Sequence, residues 1–505
     1  MQWLNKIVDD IVARFPEGEI LVESGGSPSG THHLGHMREL ITCDAVMLEL
    51  RKRGRQAKHI YFVDDLDALR KIPSNIPAEY EKYLGYPLCD IPAPDGSSQS
   101  YADYFLDGLV TSCKVLGVEV EFVRSHEKYR AGFFVPAIER CLERIPQARN
   151  ALETISKHKL DPHWSPIQVM EDGRLKNRKY LSIDKDAKTV KYEDGEGAEQ
   201  AVRYDKGEVK LDWRLDWPGR WWLLHVNAEP FGRDHASAGG SYDTGVQIMK
   251  DVYEAEPPLP VPYDFINLAG DTKKMSASKG TGLDAETVVK VLPPEIVRYL
   301  ILRSSPLKRL YFDPENGVSQ LVDEFAELMS TDPQNPVLYF SRTGVDPVIS
   351  RVPFSHLVSS YQAALKNVEA TLTILGRTGY QEVVEQNRQI LADELAYIDE
   401  WLQRWAPEDV KFELRTDVKP DEFTDQERQF LQKLGDKVAA AQEDADGAWF
   451  HAAIYELKDE AGLEPKELFA ALYKLLIGKT SGPRAGYFLS ILPRDWLVKR
   501  LKLEA

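Results

Sequence analysis

Glu19-Ile20-Leu21-Val22-Glu23-Ser24-Gly25-Gly26-Ser27-Pro28-Ser29-Gly30-Thr31-His32-His33-Leu34-Gly35-His36 sets the reading of the first third of the chain. Glu19 to Glu23 reads as a short strand, and Gly25 to Gly30 breaks it. From Thr31 the apolar residues Leu34, Met37, Ile41, Ala45 and Leu48 recur every three to four positions until Gly54. That spacing predicts an amphipathic helix stopped by glycine. Strand, glycine-rich loop and helix in direct succession open a parallel sheet with crossover helices. Lys58-His59-Ile60-Tyr61-Phe62-Val63, running into Asp64-Asp65-Leu66-Asp67, supplies a second strand, and positions 118–123 a third after a helix near 101–115. Ligands of such sheets sit at the carboxyl ends of the strands.

Beyond this core the pattern changes twice. From about 160 to 210, short alternating segments such as Lys188-Thr189-Val190-Lys191-Tyr192 are separated by Asp-Gly and Glu-Gly turns, which predicts a small β-rich insertion. The α/β pattern resumes through Trp221-Trp222-Leu223-Leu224-His225-Val226 and Tyr263-Asp264-Phe265-Ile266-Asn267-Leu268, followed by a polar loop from Gly270 to Gly282. After about 310 the signals are helical: Thr424-x-x-Glu427 forms a capping box ahead of Phe430, Leu431, Leu434 and Val438, and Pro465 opens a helix carrying Leu468, Phe469, Leu472, Leu475 and Leu476. The expected fold is therefore α/β: a Rossmann-like parallel-sheet domain of residues 1–160 and 211–310, a β-rich insertion over 161–210, and an all-helical domain over 311–505.

The 505 residues, 43% of them hydrophobic and 28% charged, suffice for two to four packed domains. The net charge of −17 argues against a surface basic all over, as a wrapper of DNA would need. Four scattered cysteines, Cys43, Cys89, Cys113 and Cys141, with no Cys-x-x-Cys spacing, fit neither a disulfide scaffold nor a cysteine zinc knuckle. The opening residues lead into an amphipathic stretch, and no run approaches ~18 apolar residues, so a cytoplasmic chain with no membrane segment is expected.

Two segments bear on chemistry. Ser29, Gly30 and Gly35 lie where the first strand hands over to a helix, whose first turn offers unpaired N–H groups and the positive dipole end to an anion. His33 and His36, three apart, share a face there and could donate to phosphate oxygens; a merely polar helix start fits equally well. Lys273-Lys274-Met275-Ser276-Ala277-Ser278-Lys279-Gly280 is a small-residue loop rich in lysine, suited to closing over a triphosphate, or simply a solvated basic loop.

Together, in this order, the two segments resemble the paired ATP-binding motifs of class I aminoacyl-tRNA synthetases. The resemblance implies phosphate contacts from His33 and His36, with Lys274 stabilising the transition state of adenylate formation. The second lysine of the family's motif is Ala277 here, so Lys279 is the candidate for that role, and Met275, Ser276 and Ser278 complete an ATP-binding loop. Asp64 to Pro73, Glu229 to Gly245 and Gly482-Pro483-Arg484-Ala485-Gly486 further resemble the class I lysyl-tRNA synthetase family over most of the chain. That family implies activation of lysine by ATP and transfer to the terminal ribose of tRNA(Lys), with a helical C-terminal domain reading the anticodon. Gly232, Asp234 and His235 match its nucleoside-binding segment.

An ammonium on a four-carbon stem needs acidic partners at the pocket end and an apolar wall, because a buried charge without a partner is costly. Asp216, among the tryptophans, is a candidate acid, Asp64, Asp65 and Asp67 end a strand where a carboxylate can hold the α-amino group, and Trp217 and Trp221 are the candidate wall, although tryptophans at this spacing commonly serve as core. Relatives carry zinc ligands in the insertion, whereas His163-Trp164-Ser165-Pro166-Ile167-Gln168 and the residues after it have no cysteine; no structural zinc is expected, and the only metal expected is Mg²⁺ accompanying ATP. From Glu464 onward eight basic residues face four acidic ones, and Arg484, on its Gly-Pro-Arg-Ala-Gly turn, is the candidate tRNA contact. The rival readings are a glutamate-type class I synthetase, which would place arginines in the pocket, a nucleotidylyltransferase, and a catalytically inactive synthetase-like RNA-binding protein.

Overall fold

A computed structural model describes residues 1–157, 159–270, 283–343, 349–442 and 445–504. The chain forms two compact units: Met1–Val289 with Val297–Phe312 and Gln334–Thr343, and Lys290–Ile296 with Asp313–Pro333 and Gly344–Ala505.

In the first unit, α1 (Gln2–Arg14) precedes β1 (Ile20–Gly26), α2 (Leu34–Lys52), β2 (Ala57–Val63), α3 (Tyr101–Val115) and β3 (Glu121–Arg124). Helices α4 (Ser125–Arg130), α5 (Val135–Glu143) and α6 (Ile145–Ser156) lead to six strands, β4 (Ile167–Glu171), β5 (Arg174–Asn177), β6 (Lys179–Asp184), β7 (Thr189–Glu193), β8 (Glu199–Arg203) and β9 (Val209–Leu211). Then follow α7 (Trp213–Leu224), β10 (Ala228–Gly232), α8 (Ser241–Ile248), β11 (Leu259–Tyr263), β12 (Ile266–Leu268) and, after two short helices, β13 (Leu310–Phe312).

The principal sheet is parallel throughout, in the order β11-β10-β1-β2-β3. The chain winds outward from β1 through β2 to β3, then crosses over to β10 and β11 on the other side. Strand order thus reverses between β1 and β10, and a crevice opens at the carboxyl ends of those strands. Its core is the buried apolar surface of α2 and the central strands, including Leu34, Met37, Leu40, Ile41, Val22, Ile60 and Phe62. The insertion consists of two antiparallel three-stranded sheets, β5-β4-β9 and β6-β7-β8, while β12 and β13 pair in parallel as a separate ribbon.

The resumed α/β pattern opens with a helix, since Trp221 to Leu224 are the last turn of α7. The stretch read as one segment from Tyr263 to Leu268 is two strands, and β11 begins earlier, at Leu259, despite Pro260 and Pro262. Leu259 N–H donates to Asn227 O, so the odd positions face β10, and the two prolines put their missing N–H groups on the open edge.

Among the described residues the second unit holds helices and no strand. Phe430, Leu434, Ile454, Leu472 and Phe488 form its core. The capping box at Thr424 closes in both directions: Thr424 Oγ1 accepts from Glu427 N at 3.2 Å, and Glu427 Oε2 accepts from Thr424 N at 2.8 Å. No helix among the described residues is long and apolar enough to cross a membrane.

Candidate functional site

A cavity of about 410 Å³ opens at the carboxyl ends of β1, β2, β10 and β11, lined there by Gly25, Gly26, Asp64, Phe231, Gly232 and Tyr263. Its rim is the start of α2. His33 is the N-cap, with Nδ1 accepting from Gly35 N at 3.1 Å, while His33 N donates to His36 Nδ1 at 3.0 Å. This is a capping box built from two imidazoles, and it fixes their tautomers. Each Nδ1 is an acceptor, so in the neutral ring the proton sits on Nε2. Burial, reinforced by His33 and His32, pushes the pKa of His36 well below its ordinary value, so the ring is a neutral donor at neutral pH. Gly35 makes the box possible, since a Cβ there would stand 2.8 Å from His33 Cε1. His32 is structural: it is buried, and its Nδ1 donates to Phe105 O at 3.1 Å.

Ser29, Gly35, His33 and His36 all line the cavity, and Gly30 is buried behind them. Lys274, Met275, Ser276, Ser278 and Lys279 lie outside the described residues. The next described segment is pinned to the histidines: Leu34 N donates to Leu283 O at 2.9 Å and Ala285 N to His32 O at 3.0 Å. On the opposite wall Gly232, Asp234 and His235 form a turn in which a Cβ on Gly232 would lie 2.6 Å from Asp234 Oδ1. The imidazole of His235 packs 5.6 Å from both Trp213 and Trp217, measured between ring centroids.

The floor is acidic. Glu39, Asp64, Asp67 and Glu229 line it, and Glu23 is fully buried next to it. At its centre is one guanidinium: Arg220 Nη1 meets the two Asp64 oxygens at 3.0 and 3.1 Å, and Nε stands 2.8 Å from Glu23 Oε1. That second contact is off the line of a hydrogen bond, leaving both Glu23 oxygens buried without one among the described residues. Among the described residues Arg220, with Lys210 on Asp67, is outnumbered by these carboxylates. Burial raises Glu23 to about 8, Glu39 to about 7 and Asp64 to about 6, with Arg220 opposing each rise, and drives Glu229 well above the carboxylate range. Glu229 also accepts the indole N–H groups of Trp217 and Trp221, one on each oxygen.

Of the sequence candidates for lysine, Asp67 and Trp217 line the cavity. Trp221 stands behind the wall, holding Glu229. Asp216 is buried beside the cavity and bound to Lys210 at 2.8 Å. Asp65 does not join them. It faces away from its neighbour Asp64, and its carboxylate is taken up by Ser125 Oγ, His126 N, His126 Nδ1 and Arg124 Nε at 2.5–3.0 Å. Adjacent residues leaving a strand point to opposite sides, and it is Asp64 that turns to the crevice. Arg220, Glu23, Glu39 and Lys210 escaped the sequence reading because each sits in an ordinary-looking strand or helix far from the others in the chain.

In the second unit, Gly482 and Gly486 are packing positions: a Cβ on Gly486 would meet Gly447 O at 2.2 Å, and one on Gly482 would meet Ile477 Cδ1 and Tyr473 Cδ1 at 2.8 Å. Arg484 between them is exposed, and its side chain makes no ion pair or hydrogen bond among the described residues. It lines a groove with Trp401, Tyr487, Asn316 and Ser319. Most other basic groups of this region are occupied: Lys474 on Glu422 O, Lys479 on Glu408 O and Lys411 O, Arg494 on Val438 O and Ala441 O, Arg500 on Arg415 O, and Lys502 on Asp436.

A family model described as "tRNA synthetases class I (K)" matches residues 1–336, and one described as "Anticodon binding domain" matches residues 382–504. The lysine–tRNA ligase of Archaeoglobus fulgidus is 37% identical over 504 residues, 99% of each chain. Lysine–tRNA ligase 1 of Methanosarcina acetivorans is 35% identical over 532 residues, covering 99% of this chain and 98% of its own. The chain belongs to the class I tRNA synthetases. Its place among them is the lysine family, and its activity is ATP-dependent lysine–tRNA ligation.

Proposed function

We propose that the cavity at the β1/β10 reversal holds lysine and ATP side by side and forms lysyl-adenylate there. The carrying observation is the mismatch of charge: among the described residues, buried carboxylates with raised pKa values, Glu23, Asp64 and Glu229, gather around the Arg220 guanidinium, beneath a wall of Trp213 and Trp217. A substrate ammonium group corrects that mismatch, and the indole faces suit its aliphatic stem. An amino acid with an acidic side chain would worsen it, which disfavours the glutamate-type alternative.

ATP enters as its Mg²⁺ complex. His33 and His36 donate Nε2–H to its phosphates at the α2 start, where the helix dipole assists, and Gly232, Asp234 and His235 hold the nucleoside. Lys274, with Lys279, serves the leaving pyrophosphate. The lysine carboxylate attacks the α-phosphorus and pyrophosphate departs; the terminal ribose hydroxyl of tRNA(Lys) then attacks the lysyl carbonyl, releasing AMP. Charging assays with each of the twenty amino acids, total tRNA and Mg-ATP test the assignment. Lysine alone should be charged, and charging of another amino acid without lysine refutes it. Pyrophosphate exchange run with and without tRNA shows whether activation itself needs the RNA.

We place the tRNA anticodon at the second unit, the chain in the cytoplasm, and no zinc in the resting enzyme. Arg484→Glu should weaken tRNA binding on the order of 10-fold at low salt and less at high salt, because a phosphate contact is replaced by a repulsion. Melting temperature should hold, since the side chain has no partner to lose among the described residues. Unchanged tRNA affinity with a lowered melting temperature would assign Arg484 to the fold. Among the described residues no group of three or more His, Cys, Asp or Glu side chains is arranged to hold a metal ion. The insertion has no cysteine, and activity should survive chelation once Mg²⁺ is restored; about one tightly bound zinc per chain would overturn that expectation.

A further inference from the structure

The last strand of the insertion carries a lysine into the acid cluster. Lys210, on β9, is 1% exposed, and its Nζ stands 3.0 Å from Asp67 Oδ1 and 2.8 Å from Asp216 Oδ2. Asp67 lines the cavity, and Asp216 immediately precedes Trp217, which also lines it. Tyr129, on α4, completes the arrangement: its hydroxyl donates to Asp216 Oδ2 at 2.6 Å, accepts from Leu211 N at 3.2 Å, and its ring lies 5.7 Å from Lys210 Nζ.

We propose that Lys210 is a positioning residue for the amino-acid substrate, a fixed ammonium through which the insertion shapes the lysine pocket. It occupies the inner part of the acid cluster with the same chemical group that the substrate brings. Asp67 and Asp216 are thereby satisfied and held in place. The remaining demand for positive charge falls on the Glu229 side, under the tryptophans, and the substrate ammonium has one place to go. Burial works against the charge of Lys210, but Asp216, Asp67 and Asp64 outweigh it and raise its pKa, so the ammonium is permanent at any working pH. Without it, buried Asp216 and half-buried Asp67 would lie open to a second cation, Asp67 would turn, and Trp217 would lose the anchor of its neighbour.

The inference rests on the lysine-ligase reading, and the wild-type charging assay decides that reading separately: an enzyme that charges no lysine fails there whatever Lys210 does. Given lysine charging, Lys210→Met should raise KM for lysine about 10-fold or more while KM for ATP changes less than about twofold. Lys210→Arg, which keeps the charge, should recover part of the loss. Where Lys210→Met folds poorly, the double variant Lys210→Met with Asp216→Asn removes the stranded carboxylate and restores the fold. KM for lysine should stay high in it, because Asp67 still lacks its partner. A melting temperature that falls while both KM values hold in the single or double variant would make Lys210 a purely structural ion pair and overturn the proposal.

Discussion

Replacing His36 with alanine is expected to slow lysyl-adenylate formation by roughly 10²–10³-fold, the scale of losing one preorganised donor to a developing oxyanion. His36 has two jobs at two nitrogens. Nδ1 caps α2 by accepting from His33 N, and Nε2 carries the proton that faces phosphate chemistry. Alanine removes both, with an additional stability cost of about 1 kcal/mol for the lost cap. Asparagine separates them: its Oδ1 can take the place of Nδ1, while nothing replaces Nε2. Single-turnover adenylate formation should therefore collapse in both variants, and only His36→Ala should melt earlier. Because His36 is neutral well above and below pH 7, its contribution should give no limb near pH 6.5 in the rate profile. A near-normal single-turnover rate in His36→Asn would remove the imidazole from the mechanism.

Glu229→Gln should have the largest effect on the amino-acid side, raising KM for lysine on the order of 100-fold with KM for ATP little changed. The amide can accept one indole N–H but must confront the other with its own N–H₂, so the two-indole clamp opens, and the carboxyl that an arriving ammonium would ionise is gone. The neighbouring acids give the same pocket a pH signature. With Asp64 near 6, Glu39 near 7 and Glu23 near 8, the empty site holds protons that the unfolded chain would already have released. Stability of the empty protein should thus fall as pH rises through 6 to 8. An arriving ammonium favours the ionised carboxylates, so lysine binding should strengthen across that window and expel protons, which calorimetry in buffers of different ionisation enthalpy measures directly. Lysine affinity that is flat from pH 6 to 8, or a lysine KM within about threefold of wild type in Glu229→Gln, would place the substrate ammonium elsewhere.

The opening strand–glycine–helix unit was legible because local signals coincide there: the strand, the glycine break and the 3.6-residue periodicity all agree. The β-rich insertion and the Thr424 capping box were legible for the same reason. The acid floor was not. Glu23, Glu39, Arg220 and Glu229 come from β1, α2, α7 and β10, and carboxylates of the interior look like any surface acids until the topology brings them together with Asp64 at the end of β2. Asp64 and Asp65 show how fine the distinction is, since one step along the chain separates the crevice from an unrelated cluster with Arg124 and His126. The C-terminal basic excess misleads in a complementary way. It is a true count, yet half of those cations bind carbonyl groups within the helical unit, and a sum of charges cannot tell a capping arginine from one that faces solvent.

The two inserted antiparallel sheets have the outline of a cassette: six strands between α6 and α7, with turns of their own. Their final strand denies them that independence. β9 ends in Lys210 and Leu211, one neutralising two aspartates of the host domain and the other bonded to the Tyr129 hydroxyl. A boundary drawn at this point cuts through a charge balance, not through a linker. A scaffold receiving the insertion would need acids of its own to meet Lys210, and a host in which the insertion was shortened or replaced by a loop would need another cation for Asp67 and Asp216.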